Sequence, residues 1–185
     1  VPVVGLEPSS ILTLRDEFLD LLPGEPRAET VAEVACTFEE YVAHRAEAGA
    51  FDDTAWTDGG ADVLLHGHCH QKALIGTAAT ERVLSLAGYR VDAVDAGCCG
   101  MAGSFGYEAE HTDVSTRMAE LRLAPAVRAA GPDTAIAATG FSCRSQIKDV
   151  TGRTARHPAE LLSAALGTES RGGTHASIGA SDGHG

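Results

Sequence analysis

The chain has 185 residues, of which 44% are hydrophobic, and its formal net charge is −12. This length and composition predict one globular domain with a core of its own. They argue against nucleic-acid binding, which requires clustered lysine and arginine, and no apolar run of about 18 residues predicts a transmembrane helix.

The amino terminus lacks a Met and shows neither a basic segment nor a long apolar stretch. We therefore expect a cut inside a longer protein and no export signal. The five cysteines are an odd number and are not spaced like those of a small secreted disulfide scaffold. A reducing cytoplasm and a metal or redox role are expected from this usage.

Apolar periodicity, with glycine and proline as breaks, predicts strands and helices in alternation. Residues 1–4 are predicted as a short buried strand. Helices are expected over residues 10–22 and 29–48, with Cys36 on the core-facing side of the second, and a loop over residues 49–60. Further strands are expected at residues 62–66, 90–94 and 134–138. Further helices are expected at about 71–87, at about 108–123 with a restart at Pro125, from Cys143 to about 150, and from 158 to about 166.

Short apolar strands that alternate with helices predict an α/β fold with a parallel sheet and flanking helices. In such sheets the ligand site lies beyond the carboxyl ends of the strands. Cys69, Cys98, Cys99 and Cys143 all fall a few residues past a predicted strand end. One edge of the sheet is therefore expected to gather these four cysteines into a shared site.

Thiolates are the soft ligands that iron–sulfur clusters and zinc prefer, whereas a disulfide between adjacent cysteines is strained. Four thiolates satisfy a 4Fe-4S cluster, and they equally satisfy a tetrahedral structural zinc ion. Buried, inert thiols are the alternative to metal binding, and this is the interpretation preferred for Cys36. A thiol–disulfide catalyst is disfavoured because the chain contains no C-x-x-C sequence.

His66, His68 and His70 alternate around Cys69. One of them could ligate a metal or donate an N–H group to a cluster sulfur, and imidazole ligation would favour zinc. For any single histidine of the three, a hydrogen-bonded loop position is the plainer interpretation. His157 is a similar candidate beside the metal site.

Gly97, Gly100 and Gly103 recur every third residue around the paired cysteines. The spacing does not match the dinucleotide-binding pattern G-x-G-x-x-G. We expect these glycines to let the backbone approach a cofactor and to direct N–H groups at its sulfurs. Lys72 is expected to offset the negative charge of a thiolate-ligated centre, with pairing to a surface carboxylate as the alternative.

Seven short segments carry a resemblance to a known family: residues 5–9 (GLEPS), 14–17 (LRDE), 66–73 (HGHCHQKA), 97–107 (GCCGMAGSFGY), 141–143 (FSC), 146–148 (QIK) and 157–158 (HP). Together they resemble the cysteine-rich CCG domain family, which includes the cysteine-rich subunit of heterodisulfide reductase and the iron–sulfur subunit of glycolate oxidase. The resemblance is greatest to the C-terminal part of fused FAD-linked 2-hydroxyacid dehydrogenases that carry an iron–sulfur region. Two positions depart from the family pattern: Gly140 stands at the first cysteine of a C-x-x-C, and Ser10 at a cysteine of a first repeat.

The resemblance implies a Rossmann-like CCG repeat with its cysteine loops at the carboxyl edge of the strands. Residues 1–60 would be the end of a first repeat with connecting helices, residues 61–166 a complete second repeat, and residues 167–185 a disordered tail. It also implies a 4Fe-4S cluster as the cofactor, and so favours iron–sulfur over zinc. The implied ligands are Cys69, Cys98, Cys99 and Cys143, with His68, His70 and His157 as further candidates.

The implied function is electron transfer within an FAD-dependent dehydrogenase of lactate, glycolate or 2-hydroxyglutarate. The expected partners are an FAD-linked oxidase domain or subunit, which would hold the substrate and flavin sites, and a quinone or other carrier as acceptor. The expected location is the cytoplasm, either free or peripheral at the inner face of the membrane. The alternatives are a structural zinc-binding domain that serves assembly, and a subunit of a complex of the anaerobic glycerol-3-phosphate dehydrogenase or heterodisulfide reductase type.

Overall fold

A computed structural model of the chain describes residues 1–51, 56 and 60–166. The predicted tail at 167–185 lies outside the described residues, as do positions 52–55 and 57–59 of the predicted loop. No helix in the part of the chain that is described has the length and apolar character needed to cross a membrane.

The amino-terminal part of the chain forms a two-stranded parallel sheet, in which β1 (Val3–Gly5) pairs with β2 (Ala35–Thr37). The expectation of a buried first strand is wrong, because Val3 and Val4 are 40% and 42% exposed. Within the described chain β1 has a single neighbouring strand, which leaves much of its surface uncovered. Four short helices accompany this sheet: α1 (Pro8–Ile11), α2 (Glu17–Leu21), α3 (Pro26–Val34) and α4 (Phe38–Glu47).

Both helices predicted in this part are interrupted. The first is divided into α1, a 3₁₀ turn and α2, since Asp16 adopts a φ of −126° and a ψ of −91°. The second is broken by β2, so the placement of Cys36 on a helix is wrong, and this residue lies half-buried on a strand. The chain becomes helical again at a capping box, in which Thr37 and Glu40 each accept the other's backbone N–H group.

The remainder of the described chain forms a four-stranded parallel sheet with flanking helices, which confirms the predicted α/β fold. The strands lie in the spatial order β4-β3-β5-β6. The first three along the chain agree with the predicted strands within one residue, whereas the fourth is too short to produce a periodic pattern. The strands are β3 (Asp62–His66), β4 (Arg90–Ala93), β5 (Ala135–Ala138) and β6 (Ala155–Arg156).

Six helices belong to this second part. The helix predicted at 71–87 is two helices, because Gly76 adopts a φ of +73° that ends the first of them. The helix predicted from 108 begins at Thr112, after two 3₁₀ turns, and the kink or restart predicted at Pro125 is a break at Arg122 with a new helix from Leu123. The helices are α5 (Cys69–Leu74), α6 (Ala78–Leu86), α7 (Thr112–Leu121), α8 (Leu123–Ala129), α9 (Phe141–Thr151) and α10 (Pro158–Ala165).

Two apolar cores cover the two faces of the four-stranded sheet. Val63 and Leu65 enter a core formed with α4, α6 and α10, whereas Leu64 packs against the core on the other face. That second core contains Cys99 and Cys143 together with residues of α8 and α9. Cys99 and Cys143 therefore lie on the face of the sheet to which the alternation along β3 directs Leu64. The division of the chain into an incomplete and a complete repeat stays a prediction.

Candidate metal centre

Four cysteines follow three neighbouring strands of the sheet. Cys69 is the first residue of α5, after β3, and Cys143 lies in the first turn of α9, after β5. Cys98 and Cys99 lie in the loop after β4. Because β4, β3 and β5 are adjacent and parallel, these three loops meet at one edge of the sheet.

The four thiols form a row. Cys98 affects the pKa of Cys69, Cys99 affects that of Cys98, and Cys143 affects that of Cys99, so the thiols lie beside one another in this order. All four are free thiols. Among the described residues, no three of these sulfurs lie mutually within 4.8 Å. A tetrahedral zinc ion with Zn–S bonds of about 2.3 Å requires sulfurs that are all about 3.8 Å apart, so the row is more open than a zinc site.

Cys69, Cys98 and Cys99 have raised pKa values, and neighbouring thiols contribute to the rise at each. The hydrogen bond with Cys143, together with burial, raises the pKa of Cys99 to about 12. The hydrogen bond with Cys99 and then burial raise the pKa of Cys98, and burial followed by the proximity of Cys98 raises the pKa of Cys69. Several thiolates this close together repel one another unless a cation compensates their charge. A metal centre is the group that would allow them to ionise together.

The loop after β4 directs backbone N–H groups at the sulfurs. The N–H group of Gly100 donates to Sγ of Cys98 at 3.3 Å. The N–H group of Ala102 lies close enough to this sulfur to oppose the rise in its pKa. Gly100, Ala102 and Gly103 adopt positive φ values of 99°, 42° and 68°. This is the type of backbone in which neighbouring N–H groups converge on an anion. The loop is therefore suited to sulfurs that carry negative charge.

The three glycines predicted to contact a cofactor have different surroundings. A Cβ atom on Gly100 would lie 2.2 Å from the carbonyl oxygen of Ser115, so the close approach of α7 also requires glycine there. Added Cβ atoms on Gly97 and Gly103 would meet nothing within 4 Å. A contact between these glycines and a cofactor stays a prediction.

Two cations restrain the loops that carry the cysteines. The Lys72 ammonium group donates hydrogen bonds to the carbonyl oxygens of Ala96 and Gly97, directly before Cys98. The Arg144 guanidinium donates to the last carbonyl of β5 and to the next one, at 3.0 and 2.8 Å. The acceptors in all of these contacts are backbone carbonyl oxygens, not surface carboxylates. Each fixes the backbone that leads into a cysteine loop.

His68 and His157 each cap a helix. Nδ1 of His68 accepts the backbone N–H of His70 at 3.2 Å, and Nδ1 of His157 accepts that of Ala159 at 3.0 Å. Nε2 of His157 lies 3.0 Å from the carbonyl oxygen of Leu6. In a neutral ring with an accepting Nδ1 the proton is on Nε2, so neither ring has a free lone pair for a metal in this arrangement. These contacts favour capping, and ligation by either ring stays a prediction.

The third candidate histidine of the loop lies against carboxylates. Nε2 of His70 is 3.7 Å from a carboxylate oxygen of Glu17, and with Asp16 they form an exposed group. Exposed acidic groups of this kind are common without a bound ion. His70 therefore faces α2, and its role at the thiol row stays a prediction.

Gly140 lies where His68 packs against Cys143. A Cβ atom on Gly140 would lie 2.4 Å from Cδ2 of His68 and 3.1 Å from Sγ of Cys143. A larger residue at this position, such as the cysteine of the related C-x-x-C pattern, would displace the imidazole. The site therefore has no room for a further thiol at position 140 while His68 caps α5.

Glu7 is a residue of the site region that the sequence did not single out as a functional residue. Its carboxylate accepts the N–H group of Phe141 at the start of α9, at 2.8 Å, and lies 3.9 Å from Nε2 of His68. The amino-terminal segment is thereby connected to the helix that carries Cys143. The only signal was its position in the 5–9 segment, which the family resemblance includes.

His66 is buried at the end of β3, and the sequence did not distinguish it from its neighbouring histidines. It is 1% exposed, and neither ring nitrogen has a hydrogen-bond partner within the part of the chain that the structure describes. Burial, followed by the nearby charge of Lys72, lowers the pKa of His66 to about 4. The imidazole is therefore neutral at pH 7.

The chain is similar to curated proteins named D-2-hydroxyglutarate dehydrogenase. It is 32% identical over 164 residues to the protein of Pantoea ananatis and 34% identical over 165 residues to that of Escherichia coli. It is 31% identical over 166 residues to that of Pseudomonas putida. Each match covers 88% of this chain and 15% of the relative. No protein-family model and no solved structure matches the chain. The chain thus corresponds to a small part of proteins that are named as dehydrogenases.

Proposed function

We propose that the chain is the iron–sulfur, electron-transfer part of a larger FAD-dependent 2-hydroxyacid dehydrogenase of the CCG type. The names of its relatives favour D-2-hydroxyglutarate as the substrate. The substrate and flavin sites would lie in an FAD-linked oxidase domain or subunit, because the chain spans about 15% of the length of those relatives. A quinone or another carrier would accept the electrons, in the cytoplasm or at the inner face of the membrane.

The observation that carries the proposal is the row of four thiols at the carboxyl edge of the sheet. Four thiolates are the ligand set of a 4Fe-4S cluster. A cluster is larger than a single ion, so an open row suits it better than it suits zinc. The N–H groups of Gly100 and Ala102 add stabilisation for negative charge on sulfur. The residues present therefore fit an iron–sulfur centre.

A bound cluster would supply a site that takes up and releases single electrons. The chain's own residues would hold it and set its surroundings. Cys99 and Cys143 are 4% and 2% exposed, so they would keep water from one side of the centre. Cys69 and Cys98 are only partly buried. Their side of the row is the one on which a flavin domain and an acceptor could approach.

Metal and acid-labile sulfide contents after anaerobic purification test the proposal. We expect about four iron and four sulfide per chain, as a 4Fe-4S cluster requires. Cys98→Ser should lose both, whereas Cys36→Ser should retain them, because Cys36 lies on β2 outside the row. One zinc ion and no sulfide would replace the proposal with a structural zinc site. Four free thiols without metal would contradict both.

A further inference from the structure

His66 is a buried polar side chain without a partner. It is the last residue of β3, an internal strand between β4 and β5. The residue is 1% exposed, and both ring nitrogens lack a hydrogen-bond partner among the described residues. Buried polar groups of native proteins are nearly always hydrogen-bonded, so an imidazole in this state points to a group that is not part of the polypeptide.

The sheet directs the His66 side chain to the face that carries the thiols. Side chains alternate along a strand, so Leu64 and His66 share a face. Leu64 packs against the core that contains Cys99 and Cys143. His66 is also in register with Ala138 of β5, which belongs to that core. Two independent neighbours therefore assign the imidazole to the thiol side of the sheet.

The Lys72 side chain connects the surroundings of His66 with the loop of paired cysteines. Its aliphatic part lies over Gly67, the residue directly after His66. Its ammonium group donates to the carbonyl oxygens directly before Cys98. An imidazole carries at least one N–H donor, whichever tautomer it adopts. His66 therefore offers a buried donor beside this loop.

We infer that His66 donates an N–H hydrogen bond to a sulfur of the metal centre on the four cysteines. The inference rests on the proposed function, because the acceptor is a sulfur of that centre. A hydrogen bond to sulfur stabilises the reduced, more negative state and so raises the reduction potential. His66 is thus a positioning residue that tunes the centre without ligating it.

Redox titration of the anaerobically purified protein, followed by electron paramagnetic resonance, tests this role. His66→Phe removes the donor, and we expect unchanged iron and sulfide contents with a midpoint potential shifted to lower values. His66→Gln retains an N–H group and should shift less. His44→Gln is the matched control, since His44 is exposed on α4 and should leave the potential unchanged.

The possible outcomes distinguish failure of this inference from failure of the proposed function. An unchanged potential in fully loaded His66→Phe overturns the inference alone, and so does loss of iron from a folded variant, which would make His66 a ligand. Absence of iron and sulfide from the parent protein overturns the proposed function. If the parent protein holds zinc instead, a donor to a zinc thiolate predicts about 10- to 100-fold weaker zinc binding in His66→Phe. Equal affinity would then exclude the donor.

A second measurement applies if His66→Phe does not fold. Protein grown with isotope-labelled histidine should show a weak nitrogen coupling to the reduced centre, of the size expected for a hydrogen-bonded ring. The coupling should disappear in His66→Gln and persist in His44→Gln. Identical spectra for the parent protein and His66→Gln would overturn the inference.

Discussion

The two sheets of the molecule each lead from a strand through a short loop into a helix, but the loops carry different chemistry. In the four-stranded sheet, the loops after β3, β4 and β5 contain the four cysteines of the row. In the two-stranded sheet, the loop after β1 contains Glu7 and leads to an exposed Ser10 on α1. Glu7 instead reaches the start of α9 with its carboxylate. The same strand–loop–helix arrangement thus provides candidate metal ligands in one region. In the other region it provides a carboxylate that holds the helix carrying one of those ligands.

The largest expected effect is on metal content, and it should differ between cysteines of the two regions. Cys143→Ser removes a 2% exposed thiol from the row, and we expect the protein to lose its iron and sulfide. Cys36→Ser alters a half-buried residue of β2 and should leave the metal content unchanged. Metal analysis and the visible absorption spectrum provide the measurement. Equal metal content in the two variants would contradict the assignment of the metal centre to the row of four thiols.

The amino-terminal region has a pH-dependent component of stability that is opposite in sign to that of His66 in the second region, whose pKa is lowered to about 4. Glu39 on α4 is 1% exposed, and burial raises its pKa from 4.5 to about 7. At Glu39 the folded state therefore binds more protons than the unfolded state between these values, so the contribution of Glu39 to stability falls as pH rises from 4.5 to 7. The loss is about 3 kcal/mol for a shift of this size.

Denaturant unfolding across this pH range provides the test of the Glu39 prediction. Glu39→Gln should make stability rise more with pH than in the parent protein, because the amide does not ionise and the opposing contribution of His66 remains. Glu33→Gln is the control, since Glu33 is exposed on α3 and should retain the slope of the parent protein. The same slope in both variants would show that Glu39 ionises freely in the folded state.

The packing at Gly140 should be sensitive to a single methyl group. Gly140→Ala places a Cβ atom 2.4 Å from the His68 ring, and we expect a loss of about 2 kcal/mol from overpacking. Gly97→Ala is the matched control, because its Cβ atom meets nothing within 4 Å. Unfolding free energies of the metal-free proteins provide the comparison. Equal stability of the two variants would show that His68 moves aside without cost.

Removal of the contact that Glu7 makes between the two regions should have the smallest effect on stability. Glu7→Ala removes the acceptor of the Phe141 N–H group, and we expect a loss of about 1 kcal/mol of stability. Faster release of iron to a chelator should accompany it, since the start of α9 is less restrained. Glu33→Ala serves as the control because Glu33 is exposed. Identical release rates would show that Glu7 does not support the row.

The sequence predicted which loops meet at the edge of the sheet more accurately than it predicted the side-chain contacts within those loops. The strands β3 and β5 are short apolar runs, and adjacent parallel strands bring the loops after them to one edge whatever those loops contain. The position of Cys36 was wrong because β2 forms by pairing with β1, about thirty residues away, and local periodicity continues through it as a helix.

Other features of the site depend on contacts that no local pattern encodes. Gly140 has ordinary backbone angles, and it must be glycine because His68 packs there from another loop. His66 looks like its two neighbouring histidines in the sequence. Its place on the thiol face follows from the alternation along β3 and the register of β3 with β5. Its burial without a hydrogen-bond partner among the described residues is visible only in the folded structure.

The unequal burial along the row has a consequence for the lifetime of a centre held there. Oxidants and chelators would reach it from the side of Cys69 and Cys98, since Cys99 and Cys143 are enclosed by the core. Damage would therefore begin at one end and proceed inward. A neighbouring domain that covers this end would protect the centre from oxygen as well as exchange electrons with it.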